Sequence, residues 1–500
     1  MEKALQIYNE TNKKLKAFGL AMFLHGWDSS TEAPRESMEY RSGQLGSLSE
    51  MYYHVSTDKE YEASIEKLYE NRESLDPVLK HEIIEIRKNL IKTKRIPVAE
   101  YVNYNELLAQ AYPVYVEAKN TSNYALFKPY LQKIIEFKKK YLIWQKTEAM
   151  KGYDIYLDEN ENGFSIEDYD RFFNTLKERL VPFAKSVAKK KLKYNKAFTK
   201  KAFSIEKQRL FAKYLQTVFC FDPNRTVIKE SEHPFTTNNG THDVRITTHY
   251  HEMNPMSAIF SAIHEMGHGL YELQVNPELD QTMSGGGASM AMHESQSRML
   301  ENMIGRSELF WNTHFSKLQE LFAKELKQTE ISDFVKHVNK VERTFIRTEA
   351  DELTYSLHIM IRYEIEKSLF AGRADMEKLP ELWNKKYKQY LGITVPDDKQ
   401  GILQDVHWSA GLFGYFPTYA LGSAYSAQLY HAMAKDIDIE KSIANGTITE
   451  IAGWLKSHVH QYGASKSPKE ILRLATGEDF NPNYYVDYLI GKYSKLYELE

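Results

Sequence analysis

Two histidines four residues apart, His264 and His268, flank Glu265 in the stretch Ser261-Ala-Ile-His-Glu-Met-Gly-His-Gly-Leu-Tyr-Glu272. On a helix, residues four apart share a face, so both imidazoles can reach one metal ion. Glu265 is one residue further round, about 100° from His264. It can therefore approach a metal-bound water without ligating the metal. Two imidazoles and a carboxylate so arranged are the parts of a zinc-assisted hydrolase, with the carboxylate as general base. The bland alternative is two ordinary histidines on an amphipathic helix. It is weakened by the surroundings, because Ala258, Ile259, Ala262, Ile263, Met266 and Leu270 predict a buried helix. Polar groups buried there need a partner, and a metal supplies one.

A zinc site of this kind has three protein ligands and an open fourth position. The metzincin extension would require Gly and His at 271 and 274, where the chain has Tyr271 and Gln274. Glu272 shares the histidine face but begins about 12 Å along the axis from His264, too far to converge on the same ion. The third ligand must come from another element. The next helix offers His293-Glu294-Ser-Gln-Ser-Arg298 after the break Gly285-Gly-Gly287. Glu294 is the preferred ligand. Glu301 and His293 remain alternatives on spacing, and a salt bridge to Arg298 is the competing role for Glu294.

The elements that must position these groups are mostly helices. Residues 1–220 read as helical, including Leu79 to Lys94 and Tyr124 to Met150, with Gly152 to Gly163 as a loop and a capping-box start at Ser165-Ile-Glu-Asp168. After Phe221, Thr226-Val-Ile-Lys229 and Asp243 to Tyr250 predict a small sheet separated by a turn-rich segment, His233 to Gly240. Such a strand beside a metal helix can pair with an extended substrate backbone. Helix is expected from Asn254, again from Ala288 to Met303, and from Glu308 to Leu391. An aromatic loop region spans Pro396 to Tyr419, and turns at Gly446, Gly463 and Gly477 divide the C-terminal helices. The expectation is a single domain over 1–500, with a helical part (1–220), the motif-bearing part (221–425) and C-terminal helices (426–500).

Composition narrows the function. The chain has 500 residues, 65 basic and 68 acidic, and a net charge of −3, which argues against a nucleic-acid binder. Lys185 to Lys201 carries eight lysines and reads as a solvated face. The single cysteine, Cys220, permits no intrachain disulfide and reads as a buried thiol. There is no signal-peptide core at the start and no run of membrane-spanning length, so the expected location is the cytoplasm.

Six short motifs occur in order: His233-Pro-Phe235, Asp243-x-Arg245-x-Thr247, His264-Glu-x-x-His268, His293-Glu-Ser-Gln296, Ile346-Arg347-x-x-Ala-Asp351 and Gly401-x-x-Gln404-Asp405-x-His407-Trp408. In these the chain resembles the carboxypeptidase Taq family of metallocarboxypeptidases. The resemblance implies a mostly helical fold with a small sheet lining a long groove. It implies a homodimer that removes single residues from peptide C-termini with broad tolerance. It also implies one zinc or cobalt ion on His264, His268 and Glu294, with Glu265 as base. A terminal carboxylate suits a bidentate guanidinium, and Arg245 on a strand and Arg347 on a helix are the candidates. Each has a neighbouring acid that could claim it instead: Asp243 for Arg245, and Glu349 or Asp351 for Arg347. His407, Tyr415 and Tyr419 are candidate donors to the oxyanion, and His233 reads as a wall closing the groove. The alternatives are an endo- or oligopeptidase with the same metal site, and a non-catalytic peptide-binding protein with a structural metal.

Overall fold

The computed structural model describes residues 1–499. The N-terminal part is helical, as its apolar periodicity predicts. Helices run Glu2–Thr31, Met38–Ser56, Lys59–Glu70, Pro77–Lys94, Val98–Asn120 and Tyr124–Gln145. Asp76 accepts from the backbone of Val78 and Leu79, and Pro77 occupies the first turn, so the helix expected at Leu79 begins two residues earlier. The first helices enclose a small core of Ala4, Tyr8, Tyr61, Ile65, Leu68 and Ile83. By contrast, Met38–Ser56 buries no residue at all.

The expected loop Gly152 to Gly163 contains a short helix, Asp154–Asn160. The polar residues there suggest a loop, but Ile155, Tyr156 and Leu157 are buried in the main core and fix the turn. The capping box at Ser165 is present: Ser165 Oγ accepts from Asp168 N, and the Asp168 carboxylate accepts from Ser165 N. Cys220 corrects another expectation. It is half-buried rather than buried, and sits at φ 55° just after the helix Ile205–Val218.

The sheet has three strands in the order β1 (Thr226–Glu230), β3 (Val244–Thr248), β2 (Thr236–Asn238). β1 pairs parallel to β3, with Thr226 opposite Val244, and β2 pairs antiparallel to it, with Thr236 opposite Ile246. β2 lies inside the stretch expected to be turn. At three residues it is too short to show alternation.

The metal helix, Pro255–Gln274, packs against β3 and against the glutamate helix, Met290–Arg298. Ala262, Ile263, Met266 and Leu270 are buried, each larger side chain contributing about 1.5–3 kcal/mol by leaving water. The expected helix to Met303 is α-helical only to Arg298 and continues as a π-helix, Met299–Gly305. Two glycines permit the crowding. A Cβ on Gly267 would lie 2.5 Å from Ser297 Cα, and one on Gly422 would lie 2.5 Å from Glu294 Cβ. The glutamate helix is thus pressed between the metal helix and the helix Phe416–Asp436. Two placements differ from expectation in the later part. Arg347 sits in a single 3-10 turn, Arg347–Glu349, rather than on a regular helix, and Tyr419 is on Phe416–Asp436 rather than in the aromatic loop.

Candidate metal centre

His264 and His268 extend from successive turns of the metal helix, and Glu294 meets them from the glutamate helix. Glu294 Oε2 is 3.6 Å from His264 Nε2 and 3.6 Å from His268 Nε2, and all three candidate ligand atoms lie within 4.8 Å of one another. Bonds of about 2.0–2.2 Å to a tetrahedral zinc would span such separations. The donor set is therefore a fit for a divalent metal, two imidazoles and one carboxylate converging with their Nε2 and Oε2 atoms.

The rival ligands stand behind the cluster. Glu301 accepts from His264 Nδ1 at 2.9 Å and is itself held by Arg306 at 2.7 Å and Arg298 at 3.4 Å. His293 Nδ1 lies 3.3 Å from His268 Nδ1, and His293 Nε2 lies 2.6 Å from Glu272 Oε1. Arg298 Nε donates to Glu294 Oε1 at 2.7 Å, so the competing salt bridge and the convergence with the histidines coexist through different oxygens. Outer partners of this kind fix ring orientation in metal sites.

The electrostatics follow these contacts. Burial pushes the Glu294 carboxyl up, but Arg298 and the two imidazoles more than offset it and hold it well below the usual range. Glu301 is held low in the same way by Arg306, His264 and Arg298. Burial pushes His264 down, yet Glu294 and Glu301 leave it raised on balance. His268 is lowered by burial, despite the Glu294 hydrogen bond, and by the adjacent His264 and His293.

Glu265 lies one position round the helix. Thr236 Oγ1, on β2, is 2.6 Å from Glu265 Oε2 and 3.1 Å from its backbone carbonyl. The hydroxyl fixes one carboxylate oxygen and leaves Oε1 without a hydrogen-bond partner among the described residues. Thr236 escaped the sequence reading because the strand that carries it did. A cavity of about 800 Å³ opens on His264 and Glu265 and is lined further out by Ser257, Ser261, Thr348 and Tyr355.

The remaining candidates divide. Arg347 lies beside Tyr355, which lines the cavity: its Nη1 is 3.4 Å from the Tyr355 hydroxyl, and its guanidinium is 5.1 Å from the centre of the Tyr419 ring. Tyr419 Oη is 3.3 Å from His407 Nε2, and Tyr415 meets Tyr419 edge-on. Burial lowers the His407 pKa to about 4, so the ring is neutral near pH 7. The acid that claims Arg347 is neither Glu349 nor Asp351 but Asp405, at 3.0 Å from Nε. Asp405 also accepts from Arg362 Nε at 2.7 Å. It stands in the sixth sequence motif, and that was the available signal for it.

Arg245 and His233 are placed otherwise. Asp243 closes the Arg245 fork with two bonds of 2.7 Å, and the guanidinium lies over Phe23 and Trp27 of the first helix. Trp27 also packs edge-on against Phe235. The first two motifs thus dock the first helix onto the sheet. The His233 ring is exposed on the loop between β1 and β2, and its carbonyl accepts from Ser231 Oγ.

Comparison with known proteins agrees with this geometry. Residues 8–493 match the family described as carboxypeptidase Taq (M32) metallopeptidase. Carboxypeptidase 1 of Bacillus subtilis is 41% identical over 489 residues, 97% of each chain. Thermostable carboxypeptidase 1 of Pyrococcus furiosus is 34% identical, covering 99% of this chain and 100% of its own. The crystal structure of an M32 carboxypeptidase from Deinococcus radiodurans superposes with a TM-score of 0.95 at 33% identity, over 99% of this chain and 100% of that one. The chain belongs to the carboxypeptidase Taq (M32) metallopeptidase family and is a peptide hydrolase.

Proposed function

We propose that the protein removes single residues from peptide C-termini with broad side-chain tolerance, using His264, His268 and Glu294 to hold one zinc ion, or cobalt in its place. The observation that carries this reading is the convergence of those three side chains next to Glu265, with His264 and Glu265 lining a cavity. The bound metal supplies Lewis acidity to the attacking water and the scissile carbonyl. Glu265 takes the water's proton on Oε1, because Thr236 Oγ1–H occupies Oε2, and passes it to the leaving amine.

Tyr419, with its hydroxyl against His407 Nε2, is the donor we assign to the oxyanion. Arg347 anchors the substrate carboxylate in this reading. Its Nη2 has no hydrogen-bond partner among the described residues, whereas Asp243 closes the fork of Arg245. The whole chain would work as one domain. Homodimerisation is supported by the exposed apolar side chains Leu20, Leu24, Tyr40, Met51 and Tyr53 on the N-terminal helices. Among the described residues no helix is long and apolar enough to cross a membrane. The single cysteine favours a reducing, cytoplasmic location.

Mass spectrometry of a mixed peptide set, with and without a chelator, tests the reading. The expected products are ladders shortened one residue at a time from the C-terminus, absent when chelator is present. Internal fragments as first products would move the assignment to an endopeptidase. Unchanged peptides at full metal loading would leave a binding protein.

A further inference from the structure

The two histidines of the cluster are supported differently. His264 turns its Nδ1 to a carboxylate, Glu301. His268 turns its Nδ1 to another imidazole, and two imidazole nitrogens 3.3 Å apart form a hydrogen bond only if one carries the proton and the other a lone pair. Which one carries it is decided at the far end. Glu272 Oε1 faces His293 Nε2 at 2.6 Å and also accepts from Gly287 N at 3.0 Å, while Glu272 Oε2 accepts from Asn238 Nδ2 at 2.7 Å. Gly287 N is a donor by its chemistry, and a carboxylate receiving these groups is an acceptor throughout. Nε2 of His293 therefore carries a proton, which leaves Nδ1 as the one nitrogen of that ring able to hold a lone pair toward His268. With that nitrogen as acceptor, His268 donates from Nδ1 and presents its own lone pair at Nε2, toward Glu294, as a metal ligand must. The opposite direction would put the proton on His268 Nε2 and leave nothing there to bind a metal.

We propose that His293 is a positioning residue for His268, the middle member of a one-way relay Glu272–His293–His268 that fixes the tautomer and plane of that imidazole for metal binding. The relay joins β2, through Asn238, to the far end of the metal helix, to the turn at Gly287 and to the glutamate helix. It is built tightly: a Cβ on Gly287 would lie 2.3 Å from His293 Nε2, and Tyr271 packs beside the imidazole with ring centres 4.8 Å apart. Neither His293 nor Glu272 lines the cavity that opens on His264 and Glu265, so neither is placed to touch a substrate there.

The inference rests on His268 being a ligand, and the test separates the two. Metal affinity is measured on the full chain by competition with a chromophoric chelator, using zinc, and the visible spectrum is recorded after cobalt loading. His268→Ala should lose the metal outright. His293→Ala should still bind one ion but about 10–100-fold more weakly, as expected for loss of an outer partner, with an altered cobalt spectrum. His293→Asn keeps an acceptor oxygen near the position of Nδ1 and should recover most of the affinity and the parent spectrum, a rescue that a space-filling role would not give. Glu272→Ala should weaken binding alone and add nothing further in the His293→Ala background. If His293→Ala does not fold, as judged by the thermal transition of the metal-free protein, the Asn variant and the Glu272 variant carry the test. Parent affinity in His293→Ala, or a full additional loss from Glu272→Ala in that background, overturns the relay. Parent affinity in His268→Ala overturns the ligand assignment instead.

Discussion

Two walls meet at Tyr355 and are held by different forces: the metal wall, which reaches the cavity through His264, and an arginine–tyrosine wall that stands behind the cavity lining. The metal wall comes from two successive helices whose backbones touch: Gly267 brings Ser297 Cα within contact, and the convergence of the candidate ligands follows from that crossing. The other wall is gathered from three segments, the turn at Arg347, the loop holding Asp405 and His407, and the helix bearing Tyr419. No glycine crossing joins them. Asp405 ties Arg347 to Arg362, and Gln404 Oε1 accepts from Arg347 N at 2.9 Å and Arg362 Nη2 at 2.7 Å. Burial would raise the Asp405 carboxyl, but the two arginines keep it well below the usual range. The metal wall starts from a backbone crossing and adds ion pairs to it, Arg298 to Glu294 and Arg306 to Glu301. The other depends on a buried charge network, in which losing one partner strands the rest. Tyr355 links them, stacked under Arg298 at 4.5 Å on one side and hydrogen-bonded to Arg347 on the other.

The largest effect should come from breaking the metal wall. Glu294→Ala removes one of the three proposed ligands and should leave the protein without metal and without peptidase activity, measured by metal analysis and peptide release. Retention of one ion per chain would show that another carboxylate is the ligand.

Next in size is Glu265→Gln, which should lower kcat by about 10²–10⁴-fold, the usual worth of a general base, at unchanged metal content. An emptied site in that variant would place Glu265 among the ligands.

The smallest expected effect probes the second wall. Amidating the C-terminus of a good substrate should reduce kcat/KM at least about tenfold, since a charge-assisted contact is worth roughly 1.5–3 kcal/mol. N-terminal acetylation should matter much less. In Arg347→Lys, which keeps the charge beside Asp405 but loses the bidentate fork, the penalty for amidation should shrink. In Arg245→Lys it should persist. The reverse pattern would assign the carboxylate to Arg245.

How far each wall could be read from sequence follows from the same contrast. His264, Glu265 and His268 are legible because their separation is local and helical. The choice among Glu294, Glu301 and His293 is not, because it depends on how a second helix is rotated against the first. All three proved to be near the site, but only Glu294 faces both Nε2 atoms. The second wall was legible only as motifs. Asp405 as the partner of Arg347, and Tyr419 on a helix, follow from long-range packing that no periodicity encodes. Thr236 was invisible for another reason: a three-residue strand carries too little pattern to separate it from a turn. The all-helical character of the N-terminal part was plain, yet the short helix Asp154–Asn160 was hidden by its polar composition.

The pinching of the glutamate helix between Gly267 and Gly422 has a kinetic consequence. The helix that carries Glu294 is held on one face at Ser297 by Gly267 and on the other at Glu294 by Gly422, so we expect the three candidate ligands to be in place before any ion arrives, with no closing motion to perform. Metal uptake by the stripped protein should then be a single phase, its rate rising linearly with free metal up to solubility limits, and stopped-flow mixing with a fluorescent indicator reads this directly. A plateau in that rate would reveal a slow rearrangement, and would mean that the cage is assembled by its cargo.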